Sequence, residues 1–181
     1  MVRIFLSLGS NLQRREDNLF GAVQMLNDND ITIKKISAIY ESNASEPIKF
    51  FHLTLPMQPH QNRYLNCVLE ADTNDEPNQL LTKILKIEKT LGRKRYLGVK
   101  NLPRPIDIDI LFYDKLIINR PNLQVPHPRL HLRDFVLLPL AELAPDFVHP
   151  ILNKPIKQLV SEIKYHQGVS IWQKTITTPS P

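Results

Sequence analysis

The chain has 181 residues, of which 42% are hydrophobic and 23% charged, a composition typical of a single globular domain. Its formal charge of +5 is compatible with a nucleic-acid partner and equally with a nucleotide or another phosphate-bearing small ligand. No stretch approaches the ~20 apolar residues that span a membrane, and the apolar run at residues 4–8 is too short for a signal peptide, so we expect a cytoplasmic protein.

The first third of the chain predicts a strand, a helix and a second strand. Residues 4–8 form a short apolar strand, and Gly9, Ser10 and Asn11 turn the chain towards a helix. Ser10 and Gln13 match a capping box. The helix then carries an apolar stripe of Leu12, Leu19, Ala22, Val23 and Leu26. The alternation of the strand at 31–40 slips near Lys34 and Lys35, which indicates a bulge.

The middle of the chain predicts a long loop, a strand and a helix. Residues 42–63 show no period, and a loop of this length inside a domain is usually functional or disordered. The strand at 64–71 places Tyr64, Asn66 and Val68 on one face, with Leu65, Cys67 and Leu69 on the other. The next helix opens at Asp75 and Pro77 and ends at Gly92. Its stripe consists of Leu80, Leu81, Ile84, Ile87 and Leu91.

The last part begins with a basic run at 93–104, which holds five Lys or Arg and no acid. An apolar strand, a turn at 113–116, a proline-bounded connector at 121–128 and helices at 132–143 and 154–163 follow. This order predicts an α+β ferredoxin-like sandwich, an antiparallel sheet covered by helices, with the C-terminal helices as additions. We expect one domain at 1–165 and a partly disordered tail at 166–181.

Two carboxylates interrupt the apolar strand after the basic run. Asp107 and Asp109 are two residues apart and therefore project to one face, while Ile106, Ile108 and Ile110 project to the other. Neighbouring like charges are destabilising unless a cation lies between them. Mg²⁺ prefers oxygen ligands and needs few protein carboxylates where phosphate supplies the rest. Surface ion pairs with nearby Lys and Arg are the alternative explanation.

The neighbouring residues favour a site for a metal–polyphosphate complex. Cations flank the carboxylate pair, namely Arg93, Arg95, Lys100 and Arg104. A solvated loop or a nucleic-acid contact would also explain this run. Tyr64 and Asn66 are suited to a flat heterocycle, by stacking and amide hydrogen bonds, or to pairing across the sheet. His127 lies between two prolines, where a structural hydrogen bond is its simplest role.

Five ordered motifs between Phe5 and about Pro145 resemble those of one enzyme family, 6-hydroxymethyl-7,8-dihydropterin pyrophosphokinase of folate biosynthesis. They are Leu8-Gly9-Ser10-Asn11-Leu12; Tyr64-Leu65-Asn66; Ile87-Glu88 with Leu91-Gly92-Arg93; Pro103-Arg104-Pro105-Ile106-Asp107-Ile108-Asp109-Ile110; and Val125-Pro126-His127-Pro128-Arg129 with Arg133-Asp134-Phe135-Val136-Leu137. The fourth and fifth motifs are the specific ones. The family's ferredoxin-like fold agrees with the element order.

The resemblance implies a role for each matching residue. Asp107 and Asp109 would bind two Mg²⁺ ions between ATP and the pterin hydroxymethyl group. Catalysis would further use Arg93, Arg95 and Arg104, which contact the ATP phosphates. The remaining ATP contacts would be Glu88, Ile110, His127 and Arg133. The pterin would be bound by Tyr64, Asn66, Asp107 and Phe135, together with Ser45 and Pro47 of Ser45-Glu46-Pro47, which we favour over Ser42-Asn43-Ala44 as the family's Thr-x-Pro stretch.

The sequence departs from the family pattern at three places. Asn101-Leu102 stand where relatives usually carry Trp-Gly, so the 93–103 loop lacks its usual aromatic residue. Leu85 occupies a position that is often polar. The loop between Tyr40 and Tyr64 is longer than the family pattern predicts.

The resulting hypothesis is pyrophosphoryl transfer from ATP to 6-hydroxymethyl-7,8-dihydropterin, with AMP as the leaving group. The protein would act as a monomer on these two small molecules, with no nucleic acid and no membrane as partners. A basic ferredoxin-like RNA-binding module is the alternative from another class, although the strands lack its aromatic-rich signature. A metal-dependent nuclease would share the paired acids.

Overall fold

An antiparallel sheet of six strands organises the computed structural model, which describes residues 1–12, 14–44, 49–50, 53–54, 63–164 and 166–173. The strands are β1 Val2–Ser10, β2 Thr32–Ile36, β3 Ile39–Ser42, β4 Lys49–Phe50, β5 Leu53–Thr54, β6 Tyr64–Thr73, β7 Val99–Lys100, β8 Asp107–Tyr113, β9 Ile118–Arg120, β10 Leu123–Val125 and β11 Ser170–Gln173. The helices are α1 Arg15–Asp28, α2 Pro77–Thr90, α3 Asp134–Leu143 and α4 Ile156–Ser161, with a 3₁₀ turn at Leu130–Leu132.

The strand order confirms the ferredoxin-like prediction. The main sheet runs β11-β3-β6-β1-β8. The strand β2, which precedes β3 in the chain, also pairs with β6. The consecutive elements β1, α1, β2–β3, β6, α2 and β8 therefore form the β-α-β-β-α-β unit. The predicted bulge near Lys34 is confirmed by a register shift between Ile33 and Lys35 in the β2–β6 pair.

The two faces of the sheet have different coverings. Alternate residues of β1, β6 and β8 pack under α1 and α2 in one buried cluster, which includes Leu6, Leu69, Ile84 and Ile108. On the other face, Phe5, Val68 and Phe112 pack with α3 and α4 in a second cluster. This second cluster covers one end of the sheet, and the polar residues at the other end of the same face form the site described below.

The polar end arises because side chains on that face of β1 become smaller along the strand. Phe5 belongs to the second core cluster, Ser7 follows at the pocket wall, and Gly9 comes last. The register between β1 and β8 shifts after Phe5, where Leu6 pairs with Ile110 and Phe5 with Phe112. This irregularity separates the buried end of β8 from the acidic end.

Several expectations about local structure need correction. The helix α1 begins at Arg15, so Ser10 does not cap it; Ser10 ends β1, and its hydroxyl accepts a hydrogen bond from Asn18 Nδ2 at 3.2 Å. The expected connector at 121–128 contains β10, which forms a hairpin with β9. The division into a 1–165 domain and a tail stays a prediction, but within that tail β11 pairs with β3.

The two loops beside the polar end are connected. β4, which lies in the expected 42–63 loop, pairs with β5 and also with β7 of the basic run, where Lys49 faces Lys100 and Phe50 faces Val99. The two loops therefore share one short sheet. Within the described part of the chain, the helices are all too short or too polar to cross a membrane.

Ile84 and Leu85 of α2 provide a test of the first core cluster. Ile84 is 1% exposed and packs in that cluster, whereas Leu85 is 40% exposed. We expect Ile84→Ala to lower the free energy of unfolding by about 3 kcal/mol, because it removes buried methyl groups and leaves a cavity. Leu85→Ala is the matched control and should change it by less than about 1 kcal/mol. Urea unfolding measures both values, and equal losses would contradict the packing.

Candidate active site

A cavity of about 240 Å³ opens at the polar end of the sheet. It brings together nine residues that the sequence had proposed for the site. The strands contribute Tyr64, Asn66, Asp107 and Asp109. Flanking segments contribute Arg93, Arg104, His127, Arg133 and Phe135.

The register of the three central strands explains how these residues meet. Gly9 of β1 lies opposite Asn66 of β6 and opposite Asp107 of β8, so the three residues form one row across the sheet. Adjacent strands are roughly 4.8 Å apart, which places Asn66 and Asp107 about 10 Å apart with Gly9 between them. A Cβ atom at Gly9 would lie 3.3 Å from Asn66 Oδ1. The missing side chain therefore keeps the floor of the pocket flat.

The carboxylate pair lies on the face that the sequence predicted. Asp107 and Asp109 face the cavity with side-chain exposures of 27% and 38%, while Ile108 belongs to the core cluster on the opposite face. Ser7 pairs with Asp109 on the neighbouring strand, which leaves space above the acids. The strand thus separates its apolar and acidic residues between two environments.

Two arginines neutralise Asp107. Arg104 Nη1 lies 2.7 Å from Asp107 Oδ2, and Arg93 Nη1 donates a hydrogen bond to Oδ1. Burial alone would raise the pKa of Asp107, but the guanidinium groups of Arg104 and Arg93 hold this pKa below its ordinary value. Asp107 is therefore ionised at neutral pH, and both of its oxygens have cationic partners.

Asp109 is less well compensated. His127 Nε2 lies 3.8 Å and Arg133 Nη1 3.9 Å from Asp109 Oδ2, beyond hydrogen-bond distance. Burial and the neighbouring charge of Asp107 raise the pKa of Asp109 to about 7. A cation placed between the two acids would favour their ionised forms.

The donor set at this position is small. Among the residues that the structure describes, no group of three or more His, Cys, Asp and Glu side chains could hold a metal ion. The two carboxylates suit Mg²⁺, which is commonly bound through one or two carboxylates while substrate phosphates and water complete its coordination. The residues therefore fit a metal that arrives with a phosphate-bearing ligand.

Glu88 holds the side chains of Arg93 and Arg95 in position. This residue of α2 is 1% exposed, and its carboxylate accepts hydrogen bonds from Arg93, from Arg95 Nη2 at 2.6 Å and from the Ile108 N–H at 2.8 Å. It thereby links the basic run to the strand that carries the acids. Glu88 was predicted to contact ATP; that contact stays a prediction, and its visible role is to position Arg93 and Arg95.

His127 is a neutral side chain in the pocket wall. Its Nδ1 accepts a hydrogen bond from the Arg129 N–H at 3.2 Å, so the ring proton belongs on Nε2, which faces Asp109. Burial and the charges of Arg133 and Arg129 lower the pKa of His127 to about 4. His127 can therefore donate one hydrogen bond into the site without adding charge.

The other half of the pocket is a slot for a flat group. Tyr64, Asn66 and Phe135 line it, and the Arg133 guanidinium lies 5.5 Å from the centre of the Phe135 ring. Asn66 Nδ2 donates to Ser42 Oγ at 3.0 Å, so this amide both pairs across the sheet and faces the slot. Aromatic faces beside an amide suit a planar heterocycle.

The two stretches of the long loop that were considered for pterin binding differ in what the structure describes. Ser45 and Pro47, the favoured pair for contacting the pterin, lie outside the described residues and stay predictions. The less favoured stretch of Ser42, Asn43 and Ala44 does line the pocket.

Besides Glu88, two predicted residues lie outside the main cavity. Arg95 is half exposed and turned towards Glu88. Ile110 packs in the first core cluster, but β8 is the edge strand, and a second cavity of about 320 Å³ beside Ile110 is also lined by Asp109 and His127.

Asn11 has a role that its sequence motif did not reveal. Its Oδ1 accepts the Arg104 N–H at 2.8 Å, and its own N–H donates to the Arg104 carbonyl at 3.3 Å. These bonds fix the backbone of Arg104 beside Asp107. Asn11 belongs to one of the recognised motifs, so its position was visible in the sequence, but its partner 93 residues away was not.

Comparisons with known proteins agree with one another. A family model described as 7,8-dihydro-6-hydroxymethylpterin-pyrophosphokinase (HPPK) matches residues 5–145. The chain is similar to the 2-amino-4-hydroxy-6-hydroxymethyldihydropteridine pyrophosphokinase of Aquifex aeolicus, with 41% identity over 90% of this chain and 92% of that protein. The enzyme of the same name from Bacillus subtilis is 34% identical over 94% of this chain and 90% of that protein.

Longer proteins match over part of their length. The folate synthesis bifunctional protein of Arabidopsis thaliana is 38% identical over 77% of this chain but only 26% of its own length. A crystal structure of Plasmodium falciparum HPPK-DHPS shares the fold, with a TM-score of 0.68 and 17% identity over 89% of this chain and 45% of that one. This chain thus spans a minor part of the fused relatives and nearly all of the two bacterial ones.

Substitution of Glu88 tests its role as an anchor. Glu88→Ala leaves Arg93 and the Ile108 N–H without their buried acceptor, and we expect it to lower the free energy of unfolding by about 3 kcal/mol. Glu88→Gln keeps an acceptor for Ile108 and should cost less. Denaturant unfolding monitors both variants. If both variants were as stable as the unsubstituted chain, Glu88 would not anchor Arg93 and the Ile108 N–H.

Proposed function

The chain belongs to the 7,8-dihydro-6-hydroxymethylpterin-pyrophosphokinase family, and we propose that its reaction takes place in the cavity beside β8. The enzyme transfers pyrophosphate from ATP to 6-hydroxymethyl-7,8-dihydropterin in folate biosynthesis. The observation that supports this location is the row Asn66–Gly9–Asp107, which joins a slot for a heterocycle to a carboxylate pair surrounded by arginines. The family membership argues against the RNA-binding alternative.

The pterin would lie in the slot above Gly9. Asn66 would bind the polar edge of the ring through its amide, and Tyr64 and Phe135 would contact its faces. In this orientation the hydroxymethyl group points along the row towards Asp107. The ionised Asp107 then lies beside the hydroxyl that attacks.

Asp107 and Asp109 would hold Mg²⁺, in our proposal two ions, together with the ATP phosphates. The metal would supply charge neutralisation for the attacking oxygen and the leaving oxygen. These two carboxylates are the donors that the described part of the chain offers at this place, which agrees with a metal that phosphate must also bind.

The arginines would bind the phosphates of ATP. Arg93 and Arg104 bind the Asp107 oxygens in this structure, and a metal at Asp107 would release them to the negative charge of the triphosphate. Arg133 lies on the Asp109 side, and Arg95 lies further out on the same loop. His127 would donate a hydrogen bond from its Nε2–H to a phosphate oxygen. Guanidinium groups suit this role because they keep their charge when buried.

In the reaction the pterin hydroxyl oxygen forms a bond to the β-phosphorus and loses its proton to solvent, and the bond from that phosphorus to the oxygen of the α-phosphate breaks. AMP is released, and the pyrophosphoryl group stays on the pterin. Transfers of this kind depend mainly on positioning and electrostatic stabilisation. The fixed row of strand residues and the anchored arginines supply both.

The nucleotide base would bind at the edge of the sheet. The second cavity beside Ile108 and Ile110 adjoins Asp109 and His127, so one molecule of ATP can extend from it to the carboxylate pair. Backbone groups of an edge strand point away from the sheet and suit hydrogen bonding to a base. This arrangement would account for the predicted ATP contact of Ile110.

The short sheet of β4, β5 and β7 would close over the phosphates. Tyr96 and Leu97 of the same basic loop are 56% and 94% exposed, so apolar side chains are available to cover a ligand although Asn101-Leu102 lack the family aromatic. Closure would exclude water from the transfer. We further propose a cytoplasmic monomer with a single domain at 1–165, whose partners are the two small-molecule substrates rather than nucleic acid or a membrane.

Replacement of the acids tests the carboxylate assignment. We expect Asp107→Asn and Asp109→Asn each to lower kcat by about 1000-fold or more, because each removes a charged ligand of the metal. Asp114→Asn is the control: Asp114 is exposed in a turn at φ 46°, a conformation that Asn also adopts, and activity should be retained. The assay separates AMP from ADP by chromatography. ADP as the product would refute pyrophosphoryl transfer, and near-normal activity of either variant would refute the metal assignment.

The arginine partners of Asp107 predict how metal and nucleotide binding are coupled. Mn²⁺ alone must displace a guanidinium, whereas Mn²⁺ with a non-hydrolysable ATP analogue provides phosphate for the released arginine. We expect about tenfold tighter Mn²⁺ binding with the analogue, measured by electron paramagnetic resonance and corrected for the metal–nucleotide complex itself.

Substitution of Arg104 provides a second test of this coupling. Arg104→Met should tighten the binding of Mn²⁺ alone, because it frees one Asp107 oxygen. Unchanged binding of Mn²⁺ to this variant, or equal binding to the unsubstituted chain with and without the analogue, would contradict the exchange.

A further inference from the structure

We propose that residues 166–173 hold the two walls of the heterocycle slot at a fixed separation, with Gln167 as the positioning residue. This segment lies outside residues 5–145, which match the family model. The inference rests on the proposed function, because it concerns the affinity of the slot for the dihydropterin.

Gln167 is bonded to the wall that carries Phe135. Its Oε1 accepts the Asp134 N–H at 3.1 Å, and its own N–H donates to Asp134 Oδ2 at 2.8 Å. Asp134 Oδ1 in turn accepts the Phe135 N–H at 2.8 Å. Asp134 is 2% exposed and lies between Arg133 and Phe135, two residues of the pocket. Gln167 therefore fixes the first turn of α3, from which the Phe135 ring projects.

The same residue is bonded to the opposite wall. The Gln167 carbonyl accepts the Asn43 N–H at 2.9 Å, and Asn43 lines the pocket between Ser42 and Ala44. The Ser42 hydroxyl accepts the Asn66 amide, so the bond to Asn43 also supports the residue that faces the heterocycle. Through its side chain and its backbone, Gln167 spans from α3 to the end of β3.

The next residue can only be glycine without a shift of this wall. Gly168 has φ +64°, and a Cβ atom there would lie 2.7 Å from Asn43 Nδ2. Its carbonyl accepts Arg63 Nη2 at 3.0 Å, and the same arginine binds Glu41 of β3 at 2.6 Å. A side chain at position 168 would therefore push against the Asn43 amide, and Asn43 lines the pocket.

The far end of the segment is fastened separately. β11 pairs with β3, where Ser170 lies opposite Glu41 and Ile171 opposite Tyr40. Trp172 Nε1 donates to Glu16 Oε1 at 2.6 Å, and the Arg15 guanidinium lies 5.2 Å from the Trp172 ring. These contacts do not depend on the Gln167 side chain, so a substitution there leaves the segment docked.

A slot for a planar ring is sensitive to the separation of its walls, because a gap of about 0.5–1 Å removes roughly a quarter to a half of the attraction of each stacking contact. Arg93 and Arg104, which lie beside the carboxylates, are held by other contacts, through Glu88 and Asn11. Loss of the Gln167 side-chain bond should therefore weaken binding of the pterin much more than binding of the nucleotide, for which Arg133 is one contact among several.

The test compares Gln167→Met with the unsubstituted full-length chain. Met has the length of Gln but no acceptor, so the variant loses the bond to the Asp134 N–H and keeps both backbone bonds. We expect the Kd of 6-hydroxymethyl-7,8-dihydropterin, measured by calorimetry with Mg²⁺ and a non-hydrolysable ATP analogue, to rise about tenfold. The Kd of the analogue should change by less than about twofold.

Two further variants strengthen the comparison. Gly168→Ala should weaken pterin binding in the same selective way, because its methyl group displaces Asn43. Ile171→Thr, in the same segment at a residue that is 59% exposed, is the control and should bind both ligands normally. Fluorescence of Trp172, the single tryptophan of the chain, reports whether the segment stays docked in each variant.

The outcomes separate this proposal from the proposed function. Normal pterin affinity in Gln167→Met, or an equal loss of affinity for both ligands, overturns the positioning role while AMP release by the unsubstituted chain still supports the enzyme assignment. Absence of AMP release and of pterin binding in the unsubstituted chain overturns both. Selective loss in Gln167→Met and Gly168→Ala, with Ile171→Thr unaffected, supports the role.

Discussion

The pairing of two carboxylates on one face of β8 is the constraint on which the site depends. Asp107 and Asp109 repel each other, and the structure compensates Asp107 with two hydrogen-bonded arginines, whereas His127 and Arg133 lie 3.8 and 3.9 Å from Asp109 Oδ2. The arginines need anchors of their own, which Glu88 and Asn11 supply from α2 and from the end of β1. The basic loop, the first motif and the second helix are thereby joined around one electrostatic requirement.

The sheet can hold these charged residues in place because one of its faces is packed and the other carries the site. Under α1 and α2 the strands are apolar along their length, which stabilises the strand positions. On the other face the second core cluster packs against one end, and the other end carries Asn66, Gly9 and Asp107 in register. The side chains that bind ligand therefore project from strands whose positions are set by the opposite face.

Much of the fold and of the site could be predicted from the sequence. Alternation along β6 and β8 correctly separated core residues from pocket residues, because strand geometry is local and has a period of two. The family motifs then grouped the arginines, His127 and Phe135. Helix boundaries were less certain: Ser10 looked like a cap but ends β1, since pairing with β6 outweighs a local capping pattern.

The sequence did not predict the contacts between distant segments. The bond of Asn11 to Arg104, the bonds of Gln167 to Asp134 and Asn43, and the pairing of β11 with β3 join residues with no shared local pattern. The sequence therefore predicts only a partly disordered tail at 166–181. Such contacts depend on the assembled fold, and no period or motif in one segment reports them.

The ladder between β4 and β7 has a consequence for how this protein can diverge from its relatives. Two segments about 50 residues apart in the chain meet at Phe50 and Val99, so a change of length in one alters the register available to the other. Insertions in the first loop and substitutions in the second are then expected to co-vary among relatives. A chimera that exchanges one of these loops alone would join mismatched partners, whereas exchange of both as a unit preserves their pairing.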